Sequence, residues 1–110
     1  GRIGLPVYAV ATDVLSLETE DLLPRLRPYH VYADAVLTDR FRYKQPGLTL
    51  ILIRAFTPPQ PVTLTDGSRY AGCRSWVELD SDVPTTDLRP ALDDAPFEQL
   101  RAEILAAVRA

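Results

Sequence analysis

Methionine is absent from the 110 residues, and cysteine, histidine, tryptophan and lysine each occur once, as Cys73, His30, Trp76 and Lys44. Without an initiator, a chain that begins Gly1, Arg2, Ile3 is expected to be processed, tagged or cut from something longer. A single cysteine excludes an internal disulfide framework and a cysteine-rich zinc site, which fits a reducing, cytoplasmic compartment. A single histidine rules out paired imidazoles at metal spacing, and no glycine-rich phosphate loop is present, so neither metal nor cofactor is expected. No signal-peptide pattern is read. The apolar run Leu50 to Ile53 is far too short to span a bilayer and meets Arg54 at once, so no membrane contact is expected.

Positive charge in excess is also missing. Twelve Lys and Arg stand against fifteen Asp and Glu, a net charge of -3, which excludes DNA binding driven by global charge alone. Any phosphate contact has to come from a local patch.

What is present fits one soluble domain over residues 1–110, with 46% hydrophobic and 25% charged residues. Val7 to Leu17 reads as a strand. Thr19 is placed to cap a short helical turn interrupted by Pro24, and Pro28 is read as stopping the chain. From Ala33, the spacing of Val36, Leu37 and Phe41 predicts a second helix. After the Pro46–Gly47 turn, apolar residues on both sides of Leu48 to Phe56 predict a central strand buried on both faces. Three prolines make Thr57 to Pro61 a stiff connector, and Asp66–Gly67 marks a turn. Ser75 to Leu79 alternates as a strand, with Arg74, Trp76 and Glu78 on one face and Trp76 partly buried. An acidic loop from Asp80 leads to a last helix capped by Asp94, whose buried face is Phe97, Leu100, Ile104 and Val108. The order implies an α+β fold: a small mixed or antiparallel sheet with short helices and a C-terminal helix.

The segment Tyr70, Gly72, Cys73, Arg74, Ser75, Trp76, Val77, Glu78, Leu79 resembles an uncharacterised bacterial family, the domain of unknown function numbered eighteen-oh-two. In that family a Gly-Cys-(Lys or Arg)-Ser-Trp-hydrophobic-acidic-Leu segment follows a hydrophobic strand ending in Arg and a proline-containing connector. Leu48 to Phe56 and Pro58 to Thr65 are similar to those parts, as are His30, Tyr32 and the Arg40–Phe41 pair upstream. The resemblance runs from about Tyr29 to the last helix and implies that the chain is the C-terminal half of a longer architecture or a naturally shortened relative. It brings no established activity with it.

Several constellations could carry chemistry. Arg54, Arg74, Trp76 and Glu78 form a candidate ligand surface, in which the indole offers a flat apolar plane and the guanidinium an anion contact. The structural alternative is an ion pair beside a packed ring. Arg54 at the end of an apolar strand needs a partner, with Glu78 first in line and Asp34 second. Cys73 with His30 is a weak nucleophile and base pair; a buried thiol and a packed or hydrogen-bonded turn histidine are the plainer readings.

Residues 25 to 54 carry six basic side chains (Arg25, Arg27, Arg40, Arg42, Lys44, Arg54) against Asp34 and Asp39, a net of +4, and residues 80 to 110 carry a net of -4. Tyr32, Arg40, Arg42 and Tyr43 in the basic stretch suit a weak single-stranded nucleic-acid surface, where rings stack on bases and cations meet phosphates. The alternative is that the acidic C-terminal stretch lies against the basic one.

Three functions follow as expectations. The first is a non-catalytic ligand- or partner-binding module; the second is a metal-dependent phosphodiester hydrolase whose other half is missing; the third is a weak nucleic-acid binder. The hydrolase lacks a Glu-x-Lys element, since Glu78 is followed by Leu79 and Asp80. The expected partner is a second copy, forming a homodimer, or an N-terminal segment missing before Gly1, because a strand apolar on both faces needs cover.

Overall fold

The computed structural model describes residues 2–65, 76–79 and 82–109. Its elements are β1 (Arg2–Leu5), β2 (Tyr8–Leu17), α1 (Leu22–Arg25), a single 3-10 turn (Arg27–Tyr29), α2 (Asp34–Arg42), β3 (Leu48–Thr57), β4 (Val62–Thr65), β5 (Arg89–Pro90) and α3 (Asp94–Arg109). They form an α+β fold with antiparallel sheets ordered β1-β4 and β2-β3-β5 and a C-terminal helix. The chain divides into two compact units, Gly1–Ala9 with Ala55–Ala91 and Val10–Arg54 with Leu92–Ala110. Among the described residues no helix is long and apolar enough to cross a membrane.

In the first unit β1 pairs with β4 from Arg2↔Thr65 to Leu5↔Val62. Ile3, Leu5, Val62 and Leu64 are half-buried while their neighbours along each strand are exposed, the two-residue period of a ribbon covered on one side. β4 begins just after Pro61, where Val-Thr-Leu-Thr restores both β propensity and the backbone donors that the prolines lack. The end of β3 pairs with β5 through Phe56↔Pro90 and Thr57↔Arg89.

The strand expected over Ser75 to Leu79 is corrected for its described part. Trp76 to Leu79 adopt no regular structure and all four are exposed. Trp76 is 87% exposed rather than partly buried, because the stretch has no ladder partner among the described residues and neither set of alternating side chains gains a layer to pack on. Ser75, the Asp66–Gly67 turn and Asp80 lie outside the described residues.

The second unit holds a core of Leu17, Leu23, Leu26 and Phe41, with Leu22, Tyr29, Leu37, Leu48, Leu50, Ile104 and Val108 packed against it. Burying each such side chain contributes about 1.5–3 kcal/mol. Helix α1 is four residues long and contains Pro24, which offers no backbone donor. Asp21, not Thr19, occupies its cap position, while the Thr19 carbonyl accepts the Leu22 N–H at 3.3 Å. Pro28 does not stop the chain; it sits in the first turn of the 3-10 segment, where a missing donor costs nothing.

Two further expectations are corrected here. β3 is buried on one face only: Leu52 is buried and Leu48 and Leu50 half-buried, whereas Thr49, Ile51 and Ile53 are exposed. The helices cover one side of this strand, and β-branched residues suit a pleated strand whichever way they face. In α3 the inward face is Phe97, Arg101, Ile104, Leu105 and Val108, and Leu100 is exposed. The face is rotated because Arg101 turns inward to bond Asp13 of β2, its Nε and Nη2 each 2.7 Å from a carboxylate oxygen. Asp94 is the first helical residue rather than the cap; the Asp93 carbonyl accepts the Phe97 N–H at 3.1 Å.

Candidate functional site

Arg54 stands near the end of β3 on its inward side. Its Nη2 donates to Asp94 Oδ1 at 2.7 Å and to the Leu92 carbonyl at 3.0 Å, and the guanidinium carbon lies 4.9 Å from the centre of the Phe97 ring. Among the described residues its acidic partner is Asp94, in place of the expected Glu78 or Asp34. Asp34 is held instead by Arg27, whose Nε and Nη2 reach its two oxygens at 3.0 and 2.9 Å. Arg54 thus ties a strand to the start of α3 through an ion pair whose carboxylate faces solvent.

Of the other residues in that candidate surface, Trp76 and Glu78 are exposed in the first unit and Arg74 lies outside the described residues. Cys73 does too. His30 is the extended residue that closes the 3-10 turn, and its Nδ1 accepts the Tyr32 N–H at 3.0 Å. Its ring lies 6.0 Å from that of Tyr32.

The basic stretch is matched in pieces by nearby acids. Arg25 lies 3.6 Å from Asp21, Arg27 holds Asp34, and Arg42 meets Glu20 at 2.8 Å. The acidic C-terminal stretch contributes Asp94 to Arg54. Glu20, Asp21, Arg27 and Asp34 line, with Leu23 and Leu37, a cleft of about 330 Å³ between α1 and α2. Its charges are already paired with one another or with Arg25 and Arg42.

The end of α2 is different. Arg40, Tyr43 and Lys44 are all exposed, with the Arg40 guanidinium 5.7 Å and the Lys44 ammonium 5.3 Å from the centre of the Tyr43 ring. Among the described residues neither cation has an acidic partner. The local sequence explains the arrangement. The helix closes with the Tyr43 N–H on the Arg40 carbonyl, the backbone reverses at Lys44 with φ 60, and the Gly47 N–H returns to the Phe41 carbonyl at 3.0 Å. Gly47, at φ 135, is where only glycine sits comfortably. Lys44 holds the left-handed position that glycine or asparagine usually takes after a helix, at a cost of about 1 kcal/mol. The two cations also complement the negative end of the helix dipole.

Tyr32 is exposed as well, but at the opposite end of α2, roughly 14 Å away along the axis. The structure therefore brings Arg40 and Tyr43 together, adds Lys44, pairs Arg42 at the same helix end with Glu20, and leaves Tyr32 beyond the other end of α2. Lys44 was visible in the sequence only as a member of the basic stretch.

No curated protein and no solved structure matches the chain. A family profile, described as Domain of unknown function (DUF1802), matches residues 2–103. The match takes in β1 and β2 as well as the segment after Tyr29, so it covers nearly the whole chain and not only a C-terminal half, as the motif around Trp76 had suggested. With that coverage the chain belongs to the family described as Domain of unknown function (DUF1802).

Proposed function

We propose that this domain is a non-catalytic binding module whose contact surface is the rim formed by Arg40, Tyr43 and Lys44, and that its ligand is a single-stranded nucleic acid held weakly. The observation that carries the reading is the Tyr43 ring, 59% exposed with two cations over it that have no acidic partner among the described residues. A base stacks on such a ring without regard to sequence, and the two cations turn outward to the flanking phosphates. Binding is weak because the chain's net charge is -3 and Arg25, Arg27 and Arg42 are matched by acids. Two phosphate contacts correspond to a slope of about -1.4 in log K against log salt. Fluorescence anisotropy of a short labelled single strand tests this. Binding is expected at low salt only, with strong loss when Arg40 and Lys44 are both replaced by Ala and little change for Arg42→Ala. Equal affinity in the double variant and the parent ends the proposal.

A second reading keeps Trp76 and Glu78 as a docking point for a ligand or protein partner. Its support is the 87% exposure of the indole, with Val77 and Leu79 exposed beside it. Large exposed aromatic side chains are the residue type that dominates binding energy once covered.

A further inference from the structure

The second unit leaves one side of its sheet bare. Along β2 the residues that alternate away from the core are Val10, Thr12, Val14 and Ser16, and along β3 they are Thr49, Ile51 and Ile53. Both sets lie on the same side, because Leu17 of β2 and Leu48 and Leu50 of β3 meet in the one core on the other. The strands are hydrogen-bonded neighbours, and the Thr12 hydroxyl reaches the Leu52 carbonyl at 3.4 Å. Val10 is 53%, Val14 63%, Ile51 46% and Ile53 56% exposed. None of the seven residues is charged.

We propose that this face is a self-association surface, covered by the same face of a second copy of the chain. Its chemistry fits a copy better than other occupants. With no charged group, it presents nothing to an anionic polymer or an acidic or basic peptide. Two chains of net charge -3 bring no like charges into direct contact when they meet through an uncharged face such as this one. Rows of Val, Ile and Thr on a pleated surface interdigitate with an identical set when two sheets stack, the packing of a β-sandwich. The area is adequate for a weak dimer: the four aliphatic side chains expose on the order of 400 Å² per copy, and with Thr12, Ser16 and Thr49 the pair buries about 1,000 Å² in total. That is the lower bound of a specific interface, so the dimer dissociates in the micromolar range or above. The rim at the end of α2 plays no part in this contact, and the two proposals stand separately.

Sedimentation velocity of the full chain over a wide concentration range tests it. The parent is expected to shift from monomer to dimer with concentration. Val14→Lys and Val14→Glu, exposed positions at which folding is checked by circular dichroism, are each expected to stay monomeric, and an equimolar mixture of the two to recover a dimer through opposite charges across the two-fold axis. Ile51→Thr, which keeps the β-branch, should weaken the dimer without changing the melting temperature at concentrations where the parent is monomeric. A parent that stays monomeric throughout overturns the proposal. So does a dimer that persists in both Val14 variants, which would place the contact elsewhere, such as the outer edge of β2.

Discussion

Arg101 and Asp13 form a two-armed ion pair, with two nitrogen-oxygen distances of 2.7 Å, joining α3 to the inward side of β2. The Thr12 hydroxyl donates to the same carboxylate at 2.9 Å. The Arg101 hydrogen bond holds the Asp13 carboxyl below its ordinary value of 3.8, against the opposing effect of burial. A carboxyl whose folded pKa is depressed adds stability that is present above its unfolded value and lost as pH falls through the folded one. The melting temperature is therefore expected to drop as pH falls below 3.8, and Asp13→Asn to flatten that part of the curve while lowering stability at neutral pH. Thermal melts by circular dichroism from about pH 6 to about pH 2.5 check it. Arg101→Lys keeps the charge but loses the fork, and should fall between the two.

The core prediction concerns Phe41 of α2, only 3% exposed and clustered with Leu17 of β2 and Leu23 of α1. Phe41→Ala is expected to cost about 3–5 kcal/mol, and Leu52→Ala about 2–5 kcal/mol, as read from urea unfolding. Losses under 1 kcal/mol at both sites would contradict the core described here.

For Arg54, a double-mutant cycle with Asp94 decides between a structural and a ligand-binding role. The pair is expected to couple by about 0.5–1 kcal/mol, since Asp94 faces solvent, and Arg54→Gln to leave nucleic-acid affinity unchanged. Loss of affinity in Arg54→Gln with no coupling would make Arg54 a ligand contact.

Trp76 reports on itself, because it is the chain's single tryptophan. Its emission is expected at the wavelength of hydrated indole, and Trp76→Ala to change stability by no more than about 0.5 kcal/mol. A blue-shifted emission would mean that the ring is covered.

Much of the fold was legible where local periodicity decides. The strand at Val7 to Leu17, the helix after Ala33, the strand from Leu48 and the last helix all stand where alternation or helical spacing put them. What failed was environment. Ile51 and Ile53 are as apolar as Leu50 and Leu52, and composition cannot tell a face covered by helices from one left bare. Arg54 meets Asp94, forty residues away, and Arg101 meets Asp13 at a separation of 88, pairings that only the packing of α3 against the sheet creates. Leu100 and Leu105 differ in burial because Arg101 fixes the helix's rotation. In the candidate site, Arg40 and Tyr43 were readable as a basic and aromatic pair; the pairing of Arg42 with Glu20 and the left-handed turn at Lys44 were not.

The sharpest test of the binding surface is Lys44→Gly, with stability and single-strand affinity measured on the same sample. Glycine suits the φ of 60 at this turn, so stability is expected to hold or rise by up to about 1 kcal/mol. Affinity at low salt is expected to fall about threefold to tenfold, and the salt slope to shrink by about 0.7, the signature of one lost phosphate contact. A Lys44→Gly protein that binds the strand as tightly as the parent, with the same salt slope, would contradict the assignment of this rim as the site.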